Sequence, residues 1–117
     1  AEAFHITSDE AQEWNQIYAA LAAAAGAELR VVHVPSSIIN RYHPQWGAGL
    51  LGEKTHSHIF DNSKIKRFVP GFAATTPFSE GAREIVAWYD ADPARQEVNE
   101  EYDRVMDELI ARMERAF

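Results

Sequence analysis

Apolar residues fall into two patterns along the chain, short continuous runs and longer stretches with helical spacing. The short runs lie at residues 4–6, 29–34 and 57–60 and are rich in Phe, Ile and Val. Such runs, bounded by turn-forming or capping residues, are typical of β-strands. The pattern therefore predicts three short strands.

The remaining apolar positions repeat every three or four residues, as in amphipathic helices. A capping box over residues 7–10 predicts a helix that ends at Gly26. A shorter helix is predicted over residues 37–43, and Thr76-Pro77 predicts the start of another that ends near Asp90. The Gly-rich stretch at residues 44–55 is predicted to be a flexible loop.

The last helix, over residues 100–117, has the clearest period in the chain, and Asn99 is its predicted cap. Its apolar stripe consists of Tyr102, Val105, Met106, Leu109, Ile110, Met113 and Phe117. Strands that alternate with helices indicate an α/β protein. The predicted architecture is a small three-stranded mixed sheet with four to five helices, in one lobe that comprises residues 1–117.

One short stretch, IFDNSKIKRF at residues 59–68, passes from a predicted strand into a very short helix. Asp61 or Asn62 is its predicted cap, and Val69-Pro70-Gly71 ends it. Lys64, Lys66 and Arg67 make this helix basic. Such a cluster is more typical of a solvated face than of a phosphate contact.

Charge and composition exclude several classes of function. The net charge of −7 is unfavourable for binding nucleic acid. There is no cysteine, which excludes thiolate catalysis and disulfides and favours a reducing cytoplasm. No apolar run reaches the roughly 20 residues that cross a bilayer, so no membrane association is expected.

The sequence displays no self-contained catalytic apparatus. The glycines at 47, 49 and 52 do not follow a strand or open a helix, as a dinucleotide-binding loop must. The five histidines have no zinc-site spacing, and no serine has a visible base. No catalytic residue and no metal ligand are therefore predicted. Trp46, with Tyr42 and His43, is expected to cover either a ligand or an interface.

Residues 4–92 resemble the closing segment of the extended short-chain dehydrogenase/reductase family, the NAD-dependent epimerases and dehydratases. The resemblance rests on FDNSKIKRFVPGFAATTPFSEGAREIVAWYDAD, at residues 60–92. Its matching features are an Asp-x-Ser-Lys turn, a Pro-containing bend, and a helix with glycine near its start and an aromatic pair near its end. They comprise Asp61, Ser63, Lys64, Val69, Pro70, Phe72, Pro77, Phe78, Gly81, Trp88 and Tyr89. The preceding strand-helix-Gly-strand-Pro order, over residues 4–36, is also similar.

The resemblance implies the substrate-binding C-terminal lobe of a nicotinamide-dependent sugar or nucleotide-sugar epimerase, dehydratase or reductase. The Gly-rich loop and the Tyr-x-x-x-Lys pair of that family are absent from this chain. The chain is therefore expected to be a fragment, inactive alone and without a cofactor. In the intact parent, an N-terminal Rossmann half would hold NAD or NADP.

The resemblance also suggests where a sugar-like substrate would bind. Tyr42, Trp46, Lys54, His56 and His58 are the candidate substrate-side residues. Members that bind nucleotide sugars often carry an Arg and an Asp near this place. Here those two positions hold Leu51 and Lys54, a departure that weakens the nucleotide-sugar interpretation.

A second interpretation is a free-standing protein-interaction module with no catalytic activity. In that case, helices over residues 77–90 and 100–116 would pack on a partner chain. The final stripe could instead pack within the lobe or form a homodimer contact, and its period does not decide between them. A severed lobe should expose an apolar patch where its other half docks.

Overall fold

The computed structural model describes residues 1–116, and all regular structure in this range is helical. The six α-helices are α1 (Trp14–Ala24), α2 (Ser36–Tyr42), α3 (Pro44–Gly49), α4 (Ser63–Phe68), α5 (Phe78–Asp90) and α6 (Glu100–Ala116). A π-helical turn, Leu50–Lys54, continues α3, and a 3-10 turn, Pro93–Arg95, follows α5. Phe117, predicted on the final stripe, lies outside the described residues.

The predicted three-stranded mixed sheet, and with it the α/β class, is wrong. Residues 4–6, 29–34 and 57–60 form no strand pairing within the described chain. A strand needs a neighbour that satisfies its backbone groups and helps to cover one face. Runs of three to six residues supply few such pairs, and Ile6 and Ile59 remain 72% and 80% exposed.

The chain divides into two compact units, and the first contains Ala1–Leu29 and His58–Gln96. Within it α1 packs against α5, and the buried side chains are Ile65 and Ala82. Helix α1 begins at Trp14 rather than after residues 7–10, because the Gln16 side chain accepts a hydrogen bond from the Glu13 amide (2.8 Å). It ends at Gly26, as predicted, with φ +63°.

The second unit contains Arg30–Ser57 and the chain from Glu97 onward. The predicted flexible loop at residues 44–55 is wrong, because α3 and the π-helical turn occupy most of it. Helix α3 lies so close to α2 that a Cβ added at Gly47 would overlap the backbone of Asn40. Leu109 on α6 is buried. The Asn99 side chain caps α6 by accepting a hydrogen bond from the Tyr102 amide (3.0 Å), as predicted.

The hydrophobic core is small in relation to the apolar content of the chain. Among the described residues, only Ile65, Ala82 and Leu109 are buried hydrophobic side chains. Eighteen large hydrophobic residues are exposed. Much of the apolar surface of the described residues is therefore exposed.

No helix in the described part of the chain combines the length and the apolar character that crossing a bilayer requires.

Candidate functional site

Three aromatic rings stack in the second unit, around the tryptophan that the sequence indicates as a candidate. The Trp46 ring lies 4.2 Å from the His43 ring and 4.6 Å from the Tyr102 ring, centroid to centroid. His43 also begins α3, since its Nδ1 accepts a hydrogen bond from the Trp46 amide (3.3 Å). Trp46 therefore joins α3 to α6 and is partly exposed.

Tyr42, at the end of α2, is half exposed, and a cationic side chain lies over the face of its ring. The Arg112 guanidinium carbon is 4.6 Å from the Tyr42 ring centroid, a distance at which the ring face attracts the charge. Tyr42 and Trp46 are thus both aromatic and accessible within one unit.

The other three candidate substrate residues do not form a site with defined geometry. Lys54 ends the π-helical turn, and His56 and His58 follow it in irregular chain. All three are exposed. His56 belongs to the second unit and His58 to the first. The strand predicted over residues 57–60 does not form, so no strand places His56 and His58 on one face.

Metal binding finds no support in the geometry. Within residues 1–116, no group of three His, Asp or Glu side chains lies close enough together to hold an ion. A structural or catalytic zinc site needs at least three protein ligands.

The short basic helix α4 has Asn62 at its N-cap position, and Asp61, the other residue predicted for the cap, bonds to the first helical residue, Ser63. The Oδ1 atom of Asp61 accepts a hydrogen bond from the Ser63 amide (2.8 Å), and its Oδ2 accepts one from the Ser63 hydroxyl (3.0 Å). These bonds, the amide first, lower the pKa of Asp61 below its ordinary value. Asn62 instead donates to the Thr7 carbonyl (2.9 Å) and to Asp9 (2.8 Å).

The two lysines of α4 form ion pairs with carboxylates of the N-terminal segment. Lys64 pairs with Glu2 and Lys66 with Asp9, each at 2.6 Å. The hydrogen bond from Lys66, assisted by Asn62, lowers the pKa of Asp9. These carboxylates pair with both lysines, whose side chains remain about 40% exposed.

The N-terminal segment also caps α5, a contact that the sequence alone does not reveal. The Glu10 carboxylate accepts a hydrogen bond from the Phe78 amide (2.8 Å), 68 residues away. Residues 8–10 and 74–77 border a shallow cavity of about 280 Å³ at this place. Because Glu10 already supplies the negative charge that a helix N-terminus favours, the cavity is not suited to an anion.

Acid is expected to weaken the hydrogen bonds at Asp61, and replacement by asparagine tests this. A lowered folded-state pKa means that the carboxylate contributes stability above its unfolded pKa and loses it as pH falls through the folded value. Urea midpoints measured from pH 7 down to pH 2 should therefore fall less steeply for Asp61→Asn than for the wild type. The wild type should be the more stable protein at pH 7 and the two should converge near pH 2, because asparagine can accept the Ser63 bond but lacks the carboxylate charge. Identical slopes below about pH 4 would show that the Asp61 charge contributes nothing.

Comparisons with known proteins give no further information about this site. No family model, no curated protein and no solved structure matches this chain.

Proposed function

We propose that this chain is the substrate-side lobe of a nicotinamide-dependent enzyme of the epimerase/dehydratase type. It would function joined to a nucleotide-binding half that supplies NAD or NADP and the catalytic pair. The observation that supports this proposal is the extent of exposed apolar surface. With three buried hydrophobic side chains and eighteen large exposed ones, the described part of the chain lacks the covered core of a self-sufficient globular protein.

The type of enzyme is supported by the local motifs rather than by a sheet. Asp61, Ser63 and Lys64 form a hydrogen-bonded turn and short helix, as the family that the chain resembles would have at this place. After the bend that follows α4, helix α5 carries Gly81 near its start and Trp88-Tyr89 near its end. These elements support the resemblance, although the predicted α/β lobe is wrong.

The proposed lobe binds a sugar-like substrate and performs no bond chemistry itself. Tyr42 and Trp46 are its best substrate contacts, because they are accessible aromatic rings in the same unit. Lys54, His56 and His58 are exposed side chains that a docked second half could bring to the substrate. The absence of cysteine supports a reducing cytoplasm as the compartment.

Sequencing the coding DNA upstream of Ala1 tests whether a nucleotide-binding half precedes this chain. We expect an in-frame G-x-x-G-x-x-G after a strand pattern, followed by a Tyr-x-x-x-Lys pair before Ala1. A start codon directly before Ala1 would leave the chain without a covalent nucleotide-binding half and would contradict the proposal in this form.

A second candidate function, a protein-interaction module without catalysis, is favoured by a different observation. Lys54, His56 and His58 are exposed side chains at the end of a turn and in irregular chain, so these three residues define no substrate site. An interaction module needs the exposed apolar surface but no such site. Native product that carries a stable partner without any nicotinamide would favour this second function.

A further inference from the structure

The His43 ring has two neighbours that favour opposite protonation states. One is the Trp46 amide, from which the ring nitrogen Nδ1 accepts a hydrogen bond (3.3 Å). The other is the Glu101 carboxylate in the first turn of α6. The pKa of Glu101 is lowered first by the hydrogen bonds and charge of Arg104, and to a smaller extent by the charge of His43. His43 therefore lies within electrostatic range of both a hydrogen-bond donor and an anion.

The bond to the Trp46 amide requires that Nδ1 carry no proton. A neutral imidazole has one N–H group and one acceptor nitrogen, whereas an imidazolium has two N–H groups and no acceptor. A proton on Nδ1 would face the Trp46 N–H group, and the hydrogen bond that begins α3 would be lost. Histidine is the side chain that ordinarily changes its charge between about pH 8 and pH 5.

We propose that His43 is a pH-sensitive switch at the start of α3. In neutral and alkaline solution, its ring caps the helix by accepting the hydrogen bond from the Trp46 amide. In mildly acidic solution, the imidazolium releases this amide to water and donates a hydrogen bond to Glu101. Because the His43 ring also lies 4.2 Å from the Trp46 ring, the exchange of partners uncovers one face of Trp46.

The charges around His43 leave Glu101 as its partner in acid. Helix α3 itself has no titratable side chain, and Glu101 is the carboxylate on which His43 acts. The other charged or titratable side chains on the elements around α3 are exposed to solvent: Arg41 and Tyr42 of α2, Glu53 and Lys54 of the π-helical turn, and the remaining charged residues of α6. The switch uses contacts within one unit and does not depend on the proposed enzyme.

Nuclear magnetic resonance of the isotope-labelled chain tests the switch at both of its atoms. The Trp46 amide proton and the His43 ring nitrogens are followed from about pH 8 to pH 5. In the wild type, the Trp46 amide signal should shift in a single step that coincides with protonation of Nδ1. His43→Asn keeps an acceptor at the cap position but does not titrate, so its Trp46 amide should remain bonded throughout. A wild-type signal that does not respond, or an equal step in His43→Asn, would overturn the proposal.

A pair of variants on α6 tests the second partner. Glu101→Gln removes the charge that favours the imidazolium, so the midpoint of the Trp46 step should move to lower pH by about 0.2–0.5 unit. Asp103→Asn removes one charge from an exposed side chain of the same helix turn and should leave the midpoint unchanged. Equal shifts in the two variants would show that the overall charge of α6 sets the midpoint, and would refute the exchange of partners. Circular dichroism verifies that each variant keeps its helices.

Quenching of Trp46 fluorescence by acrylamide measures the predicted uncovering of its ring. Trp14→Phe and Trp88→Phe, at side chains that are 63% and 53% exposed, leave Trp46 as the remaining tryptophan. The quenching constant of this chain should rise as pH falls from about 8 to 5, and the rise should be absent when His43→Asn is added. A constant that stays level or falls in acid would contradict the movement of the His43 ring.

Discussion

Replacing Gly47 by alanine is expected to unfold the unit that contains α2, α3 and α6. The added methyl group would overlap the backbone and the side chain of Asn40, and neither helix backbone can move aside without separating α2 from α3. Overpacking of an interior commonly costs about 1–3 kcal/mol, and a clash with backbone falls at or above the upper end. Urea unfolding followed by circular dichroism should show a loss of about 3 kcal/mol or more.

Gly49→Ala is the matched control for that experiment. An added Cβ at Gly49 meets nothing within 4 Å, and its φ of −65° is helical. The same substitution two residues away should therefore be neutral or stabilise the protein by up to about 1 kcal/mol. If both variants unfold at the same urea concentration, α2 and α3 are not in the close contact described here.

Replacing Ile65 by alanine is expected to have the second largest effect. Ile65 is 8% exposed and is one of two buried hydrophobic side chains in its unit. Truncation of a buried isoleucine usually costs about 2–5 kcal/mol, from lost burial and the cavity left behind. We expect about 2–3 kcal/mol, because the shallow packing around α4 allows partial collapse. The measurement is the unfolding free energy in urea.

Ile59→Ala removes the same atoms from a side chain that is 80% exposed. It should change the unfolding free energy by less than about 0.5 kcal/mol, as is usual for surface positions. A similar cost for both substitutions would mean that Ile59 is covered in solution, and that residues 57–60 are packed against another surface.

Local signals predict the helices but not the absence of a sheet. Gly26, Asn99 and Asp61 act within a few residues of their own position, so their roles at helix ends can be inferred from sequence. Residues 29–34 have the composition of a strand, but strand formation also needs a partner, which local sequence does not reveal. The glycines at 44–55 are typical of a loop, yet Gly47 is required where α3 packs closely on α2.

For the candidate site too, local sequence does not reveal contacts between residues that are far apart in the chain. The sequence predicts that Trp46, with Tyr42 and His43, covers a ligand or an interface, and in the structure Tyr42 is exposed and Trp46 is partly exposed. Their stabilising partners, Tyr102 and Arg112, come from α6. The same applies to Lys64 and Lys66, whose acidic partners lie 62 and 57 residues away in sequence. No local pattern encodes contacts at such separations.

The most direct test of the central claim is the nicotinamide content of the native product. The endogenous product that contains this sequence should be isolated intact, digested for peptide mapping, and denatured to release small molecules for mass spectrometry. A substrate-side lobe predicts a nucleotide-binding half in the same product, with its Gly-rich loop and Tyr-x-x-x-Lys pair, and close to one NAD or NADP per chain. A product that contains only these residues, or an unrelated partner without nicotinamide, would contradict the claim.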